Sequence, residues 1–494
     1  MNTLRHGLRN QVLAVAVALT ALVAMQPEAF AQPQFTVLHS FNGTDGFGPM
    51  SGVVQGADGA LYGTTSQGGS ASLGTVFRLD RATLGLTTLH DFAGTDGSVL
   101  YSGLALGNDG LLYGSTSSGG VADLGTLFRV GADGQSFASL YSFSGADGAN
   151  PGDLKLLQGA DGAFYGATSE GGPDGGGTLF RFDAATQGVT TLYSFIPTAP
   201  GGVDAGLVAG RDGYWYGTTY SGGANGAGSV FRVDPATFAL TTLHDFTASG
   251  GQNPVPGALM QSSDGNLYGT TQLGGGYGTV FKLNPTTLAF TTLHAFSFSG
   301  INDGRMPLGG VTEGGDGYLY GTTVLGGQGY GTVFRVHPTT LAYNIVVWFG
   351  GTNGRSPSGN LLRASDGALY GVTRLGGNFN GGTVFRLSFA DTTPPTITSI
   401  TASPSILRQK NAKMVPVTLT VVATDAVDPA PRSQIIGVTC NQRAAGDWVI
   451  TGDLTLKLRA KHIGHTARIY TITVQSMDAS GNSTTGTVNV TVPK

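Results

Sequence analysis

Between residues 35 and 389, short runs rich in Thr, Val, Leu, Tyr and Phe alternate with glycine-rich polar turns at nearly constant intervals. In the first unit the runs are 51–55, 61–65, 74–79 and 87–92. Their β-branched and aromatic content favours a pleated, half-buried backbone, so the pattern predicts four strands, A to D. Asp58-Gly59 falls between A and B, where a glycine that accepts positive φ makes a tight hairpin. No amphipathic helix pattern follows residue 31, and the predicted class is all-β.

The pattern recurs seven times. Asp-Gly pairs begin at Asp58, Asp109, Asp161, Asp212, Asp264, Asp316 and Asp366. A Tyr-Gly follows each by four residues, and the tyrosines, from Tyr62 to Tyr370, are spaced by 51, 52, 51, 52, 52 and 50. A Gly-Gly pair and then a Phe-basic pair complete each unit, from Phe77-Arg78 to Phe385-Arg386. A period near 50 with four short strands per unit predicts a seven-bladed β-propeller over residues 35–389. A lone D-type strand, 36–41, precedes the first A strand, and the last unit stops after strand C at Leu387. The leading strand is therefore expected to complete the seventh blade, leaving no open sheet edge.

The joint recurrence of Leu-Tyr-Gly-Thr-Thr, Gly-Gly and Gly-Thr-Val-Phe-Arg resembles the GloVer tandem-repeat proteins, known as choice-of-anchor repeat proteins. The resemblance spans residues 35–389 and implies an exported bacterial protein with no settled biochemical activity. The Gly-Gly after strand B and the period are also similar, more distantly, to kelch propellers.

The pattern changes at Asp391-Thr-Thr-Pro-Pro395, and residues 390–395 read as a stiff linker. Residues 396–494 alternate apolar and polar positions in roughly seven short strands, which predicts an Ig-like β-sandwich. Its Asp478-Ala-Ser-Gly-Asn482 turn resembles one common in bacterial Ig-like adhesion modules. At the other end, Arg5 and Arg9, an apolar run from Val12 to Met25 and Ala29-Phe30-Ala31 read as a secretory signal peptide, residues 1–31, cleaved after Ala31. The run of 14 is too short to span a bilayer. The expected location is secreted, extracellular or in the cell envelope, with no membrane span in the mature chain.

Composition narrows the partners. Charged residues are 11% of the chain and the net charge is −4, with no basic stretch after the signal to follow a phosphate backbone, so nucleic acid is not expected as a partner. The single cysteine, Cys440, cannot form a disulfide within one chain and is expected to be a buried, inert thiol. A monomer is expected.

Length variation points to one end of the propeller. The C-strand Phe and D-strand Phe are always 15 residues apart, whereas the D–A and B–C connections vary. These two connections leave a four-stranded meander on the same face. Variable loops on a rigid scaffold commonly carry function. The candidate ligand-binding residues there are Tyr220, Tyr277, Tyr330, Phe379, Arg374, Arg305 and Arg355, because aromatic faces with guanidinium groups hold sugars or peptides. An extracellular glycan or protein is the expected partner.

Other polar groups dissolve into the repeat. His39, His90, His244 and His294 share one strand-D position and would be spread around the rim, unable to converge on one metal. The basic residue of each Phe-basic pair is expected to pair locally, with Asp80, Asp183 or Asp234. His462 and His465 are three apart in the tail. Asp425, Asp428 and Asp478 offer oxygen ligands for Ca²⁺; otherwise no cofactor is expected. Catalysis has no paired-carboxylate or nucleophile motif to stand on. The alternative is an extracellular carbohydrate-active hydrolase or lyase using acids outside the repeat, such as Asp153 or Glu170. The expectation is a non-catalytic exported binding, adhesion or structural protein.

Overall fold

The computed structural model describes residues 33–152, 155–196, 206–255, 258–298, 303–389, 391, 394–408, 413–425, 430–442, 446–461, 465–478 and 480–494. The signal segment 1–31 lies outside these residues. The described residues are all-β, without a helix.

Seven antiparallel meanders occupy residues 34–388. Their B strands, which number sheets 1 to 7 here, are Leu61–Thr65, Leu112–Thr116, Phe164–Thr168, Trp215–Thr219, Leu267–Leu273, Leu319–Thr323 and Leu369–Leu375. In sheet 1 the A, C and D strands are Val54–Gln55, Thr75–Leu79 and Leu86–Asp91. Strand A is shorter than the five residues expected, because pairing with strand B covers only Val54 and Gln55. Sheet 7 consists of Arg355–Arg363, Leu369–Leu375, Thr383–Ser388 and the first strand of the chain, Gln34–Ser40.

The Tyr-Gly glycine has a packing reason. Gly63 is the cross-strand partner of Phe77, and a Cβ on Gly63 would lie 2.5 Å from the tip of the Phe77 ring. The ring lies across the bare backbone, so the Phe packs deep in the sheet and is fully buried. Burying one such ring is worth roughly 1.5–3 kcal/mol, and the pair occurs in every sheet.

Seven apolar clusters lie between the sheets, and each joins two successive ones. The cluster of Phe41, Leu61 and Phe77 also contains Tyr370 and Val384, and so packs sheet 1 against sheet 7. The repeat region is thus a propeller-like arrangement of small sheets with the core between blades.

The tail forms two further sheets, one of four strands and one of three. Thr396–Ser403, Met414–Thr424, Thr455–Arg459 and Trp448–Gly452 face Arg432–Cys440, Arg468–Met477 and Ser483–Val492. Val417, Leu419 and Leu456 of one sheet and Tyr470, Ile472 and Val490 of the other share a single buried core. Cys440 is half-buried rather than buried, and its Sγ accepts a hydrogen bond from Arg468 Nε at 3.2 Å. Arg468 is itself fully buried and pairs with the buried carboxylate of Asp447. The expected full burial fails because Cys440 is the last residue of its strand, and the neighbouring strand that begins at Arg468 brings the guanidinium to it.

Candidate functional site

The two ends of the sheets differ in chemistry. At the end formed by the A–B hairpins, the Asp-Gly aspartate, the Tyr-Gly tyrosine and the basic residue of strand C meet. Tyr62 donates its hydroxyl hydrogen to Asp58 Oδ2 at 2.9 Å, and Arg78 Nη2 reaches the same oxygen at 2.7 Å. Asp80, the expected partner, stands farther off at 3.8 Å. The expected pair is thus present, and strand register adds a closer one: Tyr62 and Arg78 are cross-strand partners, so both reach the hairpin acid. Burial works to raise the Asp58 pKa, but hydrogen bonds from Arg78, Tyr62 and the Ala60 N–H outweigh it and hold it below the usual value. The same knot joins Asp161 to Tyr165 and Arg181, and Asp264 to Tyr268 and Lys282. It fastens the A–B hairpin to strands B and C.

At the other end the D–A and B–C connections lie side by side. Phe47 bridges to Gln67, and Ser98 to Ser118. Strand-D histidines are tied to aspartates of the following connection, His39 to Asp45 at 2.9 Å, His90 to Asp96 at 2.7 Å and His294 to Asp303 at 3.0 Å. Each belongs to its own sheet. His244 has Thr247-Ala-Ser-Gly-Gly251 after it instead, and burial lowers its pKa.

On this face the B–C loop of one sheet meets the D–A loop of the next. Met306 N donates to Tyr277 O at 2.9 Å, and Ser356 N to Tyr330 O at 2.8 Å. The first of these junctions, between sheets 5 and 6, is where two candidate residues come together. The Arg305 guanidinium lies 5.7 Å from the Tyr277 ring centre and 4.8 Å from that of Phe298. The two rings are 5.7 Å apart and tilted by 35°. Phe298 is 69% exposed and Tyr277 37%, so the set is an open platform rather than a core cluster. Arg305 is held from below by Gly304–Arg305, which pairs with Leu325–Gly326. Phe298 was not singled out from the sequence; it stands two residues past the repeat Phe296, in a connection longer than the others.

The remaining candidates are distributed over sheets 4 to 7. Tyr220 donates its hydroxyl to Gln272 Oε1 at 2.7 Å, bridging sheets 4 and 5. Tyr330 is partly buried against the cluster between sheets 6 and 7. Arg355 is the cross-strand partner of Leu375, adjacent to the exposed Arg374, both on sheet 7. Phe379, 62% exposed, borders a depression shared with His39, Asn42 and Thr352.

Two of the Ca²⁺ candidates also meet. One carboxylate oxygen each from Asp391, Asp425 and Asp478 lies within 4.8 Å of the others. Asp391, from the linker, is the member that the sequence reading left out. Asn482 organises the set: its Nδ2 donates to Asp391 O at 2.8 Å and to Asp478 Oδ2 at 2.9 Å. Three hard oxygen donors suit Ca²⁺. Asp428 and His462 lie outside the described residues, as does Asp153, while Glu170 is exposed and its backbone bridges to Ala149.

Seven sheets with a repeated core and one individual face define a propeller-like repeat protein. The chain belongs to the Gloeobacter/Verrucomicrobia repeat family, whose model matches residues 20–209 and 203–420. No curated protein matches it. Among solved structures it is similar to an extracellular domain from B. thetaiotaomicron described as part of a one component system, with 13% identity and a TM-score of 0.51. That match covers 93% of this chain and 58% of the other, so the chain spans little more than half of it. An oligogalacturonate lyase in complex with manganese matches with 14% identity and a TM-score of 0.49, over 74% of this chain and 95% of that one. At these identities the likeness concerns the fold.

Among the described residues no helix is long and apolar enough to cross a membrane.

Proposed function

We propose that the protein is an exported, non-catalytic binding protein. In this reading the repeat is a closed seven-bladed propeller, the tail is an Ig-like sandwich acting as spacer or adhesion module, and the chain works as a monomer. Export rests on the N-terminal signal pattern. Ring closure is supported by the pairing of Gln34–Ser40 with Thr383–Ser388 and by the apolar cluster shared between the first and last sheets.

The observation that carries the binding reading is the exposed Tyr277–Phe298–Arg305 platform. Two aromatic faces beside a guanidinium suit a sugar ring or a peptide side chain, with the cation available to a carboxylate. A glycosidase needs a general-acid carboxyl whose pKa is raised. The described aspartates with displaced pKa values, among them Asp58, Asp147, Asp264 and Asp303, are displaced downward: burial is outweighed by hydrogen bonds. This favours binding over glycoside hydrolysis.

Glycan and peptide arrays probed with the mature protein and with a Tyr277→Ala/Arg305→Ala variant test the reading. Enrichment by the parent protein, weakened at least about tenfold in the variant, is expected, since anchors of this kind carry much of a binding free energy. Equal binding by the variant, or no ligand on either array, contradicts it.

A second proposal, favoured by the convergence of Asp391, Asp425 and Asp478, is that Ca²⁺ stiffens the junction between linker and tail.

A further inference from the structure

The A strands of the seven sheets surround an axial cavity of about 340 Å³. Its wall includes the half-buried side chains of Met50, Leu207, Leu308 and Leu362. That volume lies at the lower end of the roughly 300–1,000 Å³ of small-molecule sites.

One position of the repeat stands out there. Six residues before the Asp of each Asp-Gly, the chain carries Gly52, Gly103, Lys155, Gly206, Ala258, Gly310 and Asn360. The small residues are needed because neighbouring strands crowd the axis. A Cβ on Gly52 would lie 2.2 Å from Asn360 O, and one on Gly310 would lie 2.1 Å from Ala258 O. Lys155 places a long cationic side chain at this position, and it lines the cavity. Among the described lining residues it is the sole charged group. By surface area Lys155 is exposed, yet protein crowds it as it would an interior group, and this lowers its ammonium pKa by desolvation. The two observations agree if the exposed area belongs to the lumen of the cavity rather than to the outer surface. Asn360, the other polar residue at this position, has its Oδ1 engaged by Gly310 N at 2.6 Å.

A partly desolvated ammonium in a cavity with no other charged lining group among the described residues is costly without a counter-charge. A ligand that brings an anionic head to the cation and an apolar body to the leucines relieves that cost. We propose that the axial cavity is a binding site for a small amphipathic carboxylate, with Lys155 pairing with the carboxylate and Leu207, Leu308 and Leu362 packing on the hydrocarbon. This site is separate from the Tyr277–Arg305 face and stands whether or not that face binds a ligand.

Titration calorimetry of the full mature protein at pH 7 tests it, with hexanoate as the probe and 1-hexanol and inorganic phosphate as the arms lacking charge or apolar body. The expected result is one hexanoate per chain, with hexanol and phosphate each at least about tenfold weaker. Lys155→Met, which keeps the hydrocarbon stem, is expected to weaken hexanoate at least about tenfold and leave hexanol unchanged, in line with the worth of a charge-assisted hydrogen bond. Lys155→Gly restores the residue carried in four other units, serves if the Met variant folds poorly, and is expected to weaken hexanoate to the same degree. No binding by the parent protein, equal affinity for hexanoate and hexanol, phosphate binding as tightly as hexanoate, or undiminished hexanoate binding in either folded variant overturns the proposal.

Discussion

Val37, near the start of the described chain, is the cross-strand partner of Phe385, at the end of the repeat. This pairing joins the chain's most distant repeat segments and gives sheet 7 its fourth strand. Phe41, which follows that strand, is fully buried among Val53, Leu61 and Phe77 of sheet 1. Phe41→Ala is expected to destabilise the repeat region by about 3–5 kcal/mol, the usual cost of deleting a core ring. Equilibrium urea unfolding measures it; a loss under about 1 kcal/mol would show that the leading segment is dispensable.

The axis is a second place where adjacent sheets meet closely. Because a Cβ on Gly52 would sit 2.2 Å from a backbone oxygen of sheet 7, Gly52→Ala should separate the first and last sheets. The expected cost is about 1–3 kcal/mol, typical of overpacking, read from the thermal midpoint. A neutral or stabilised variant would mean the two strands are not in contact.

The acid knots predict a pH dependence. Burial alone would raise the Asp264 pKa, but hydrogen bonds from Asn266, Tyr268 and Lys282 lower it to about 2 from 3.8. A lowered folded-state pKa contributes stability that is complete above the unfolded value and is lost as pH falls through the folded one. Stability should therefore hold above about pH 4 and decline between about pH 4 and pH 2. The carboxylate is 41% exposed, so solvent screening limits its share. Unfolding curves of Asp264→Asn, compared with the parent over this range, should show a shallower decline; identical slopes would remove Asp264 from the account.

Ca²⁺ gives a fourth test. Millimolar Ca²⁺ is expected to raise the unfolding temperature of the chelator-treated protein, with the increase lost in Asp478→Asn, because a ligand that binds only the folded state stabilises it. An unchanged midpoint in the parent protein, or an equal rise in the variant, would reduce the cluster to hydrogen-bonded turn acids.

The strands and the sheet order were legible because the repeat prints the same residues seven times. Leu61–Thr65 was read to the residue, and the unpaired leading strand was visible from the missing D strand after Leu387. Arg78 does pair with Asp80, but its closer partner Asp58 was missed, since Asp80 is nearer in sequence while Asp58 is nearer through the register of strands B and C. The meeting of Tyr277 with Arg305 joins two loops of different sheets, and Phe298 enters only through a lengthened connection. Asp391 was passed over as a linker residue, because nothing local indicates that it folds back to Asn482. Lys155 left a trace in the sequence, a lysine where most units carry glycine, but its meaning depends on the axial crowding.

The proposed ring closure is tested most directly by hydrogen exchange of the amides in Gln34–Ser40 under native conditions. The pairing with Thr383–Ser388 predicts protection comparable to that of strands B and C in the other sheets, with loss of protection only on global unfolding of the repeat. Exchange of this segment at the rate of an unstructured chain, while the other strands stay protected, would contradict closure by the first strand.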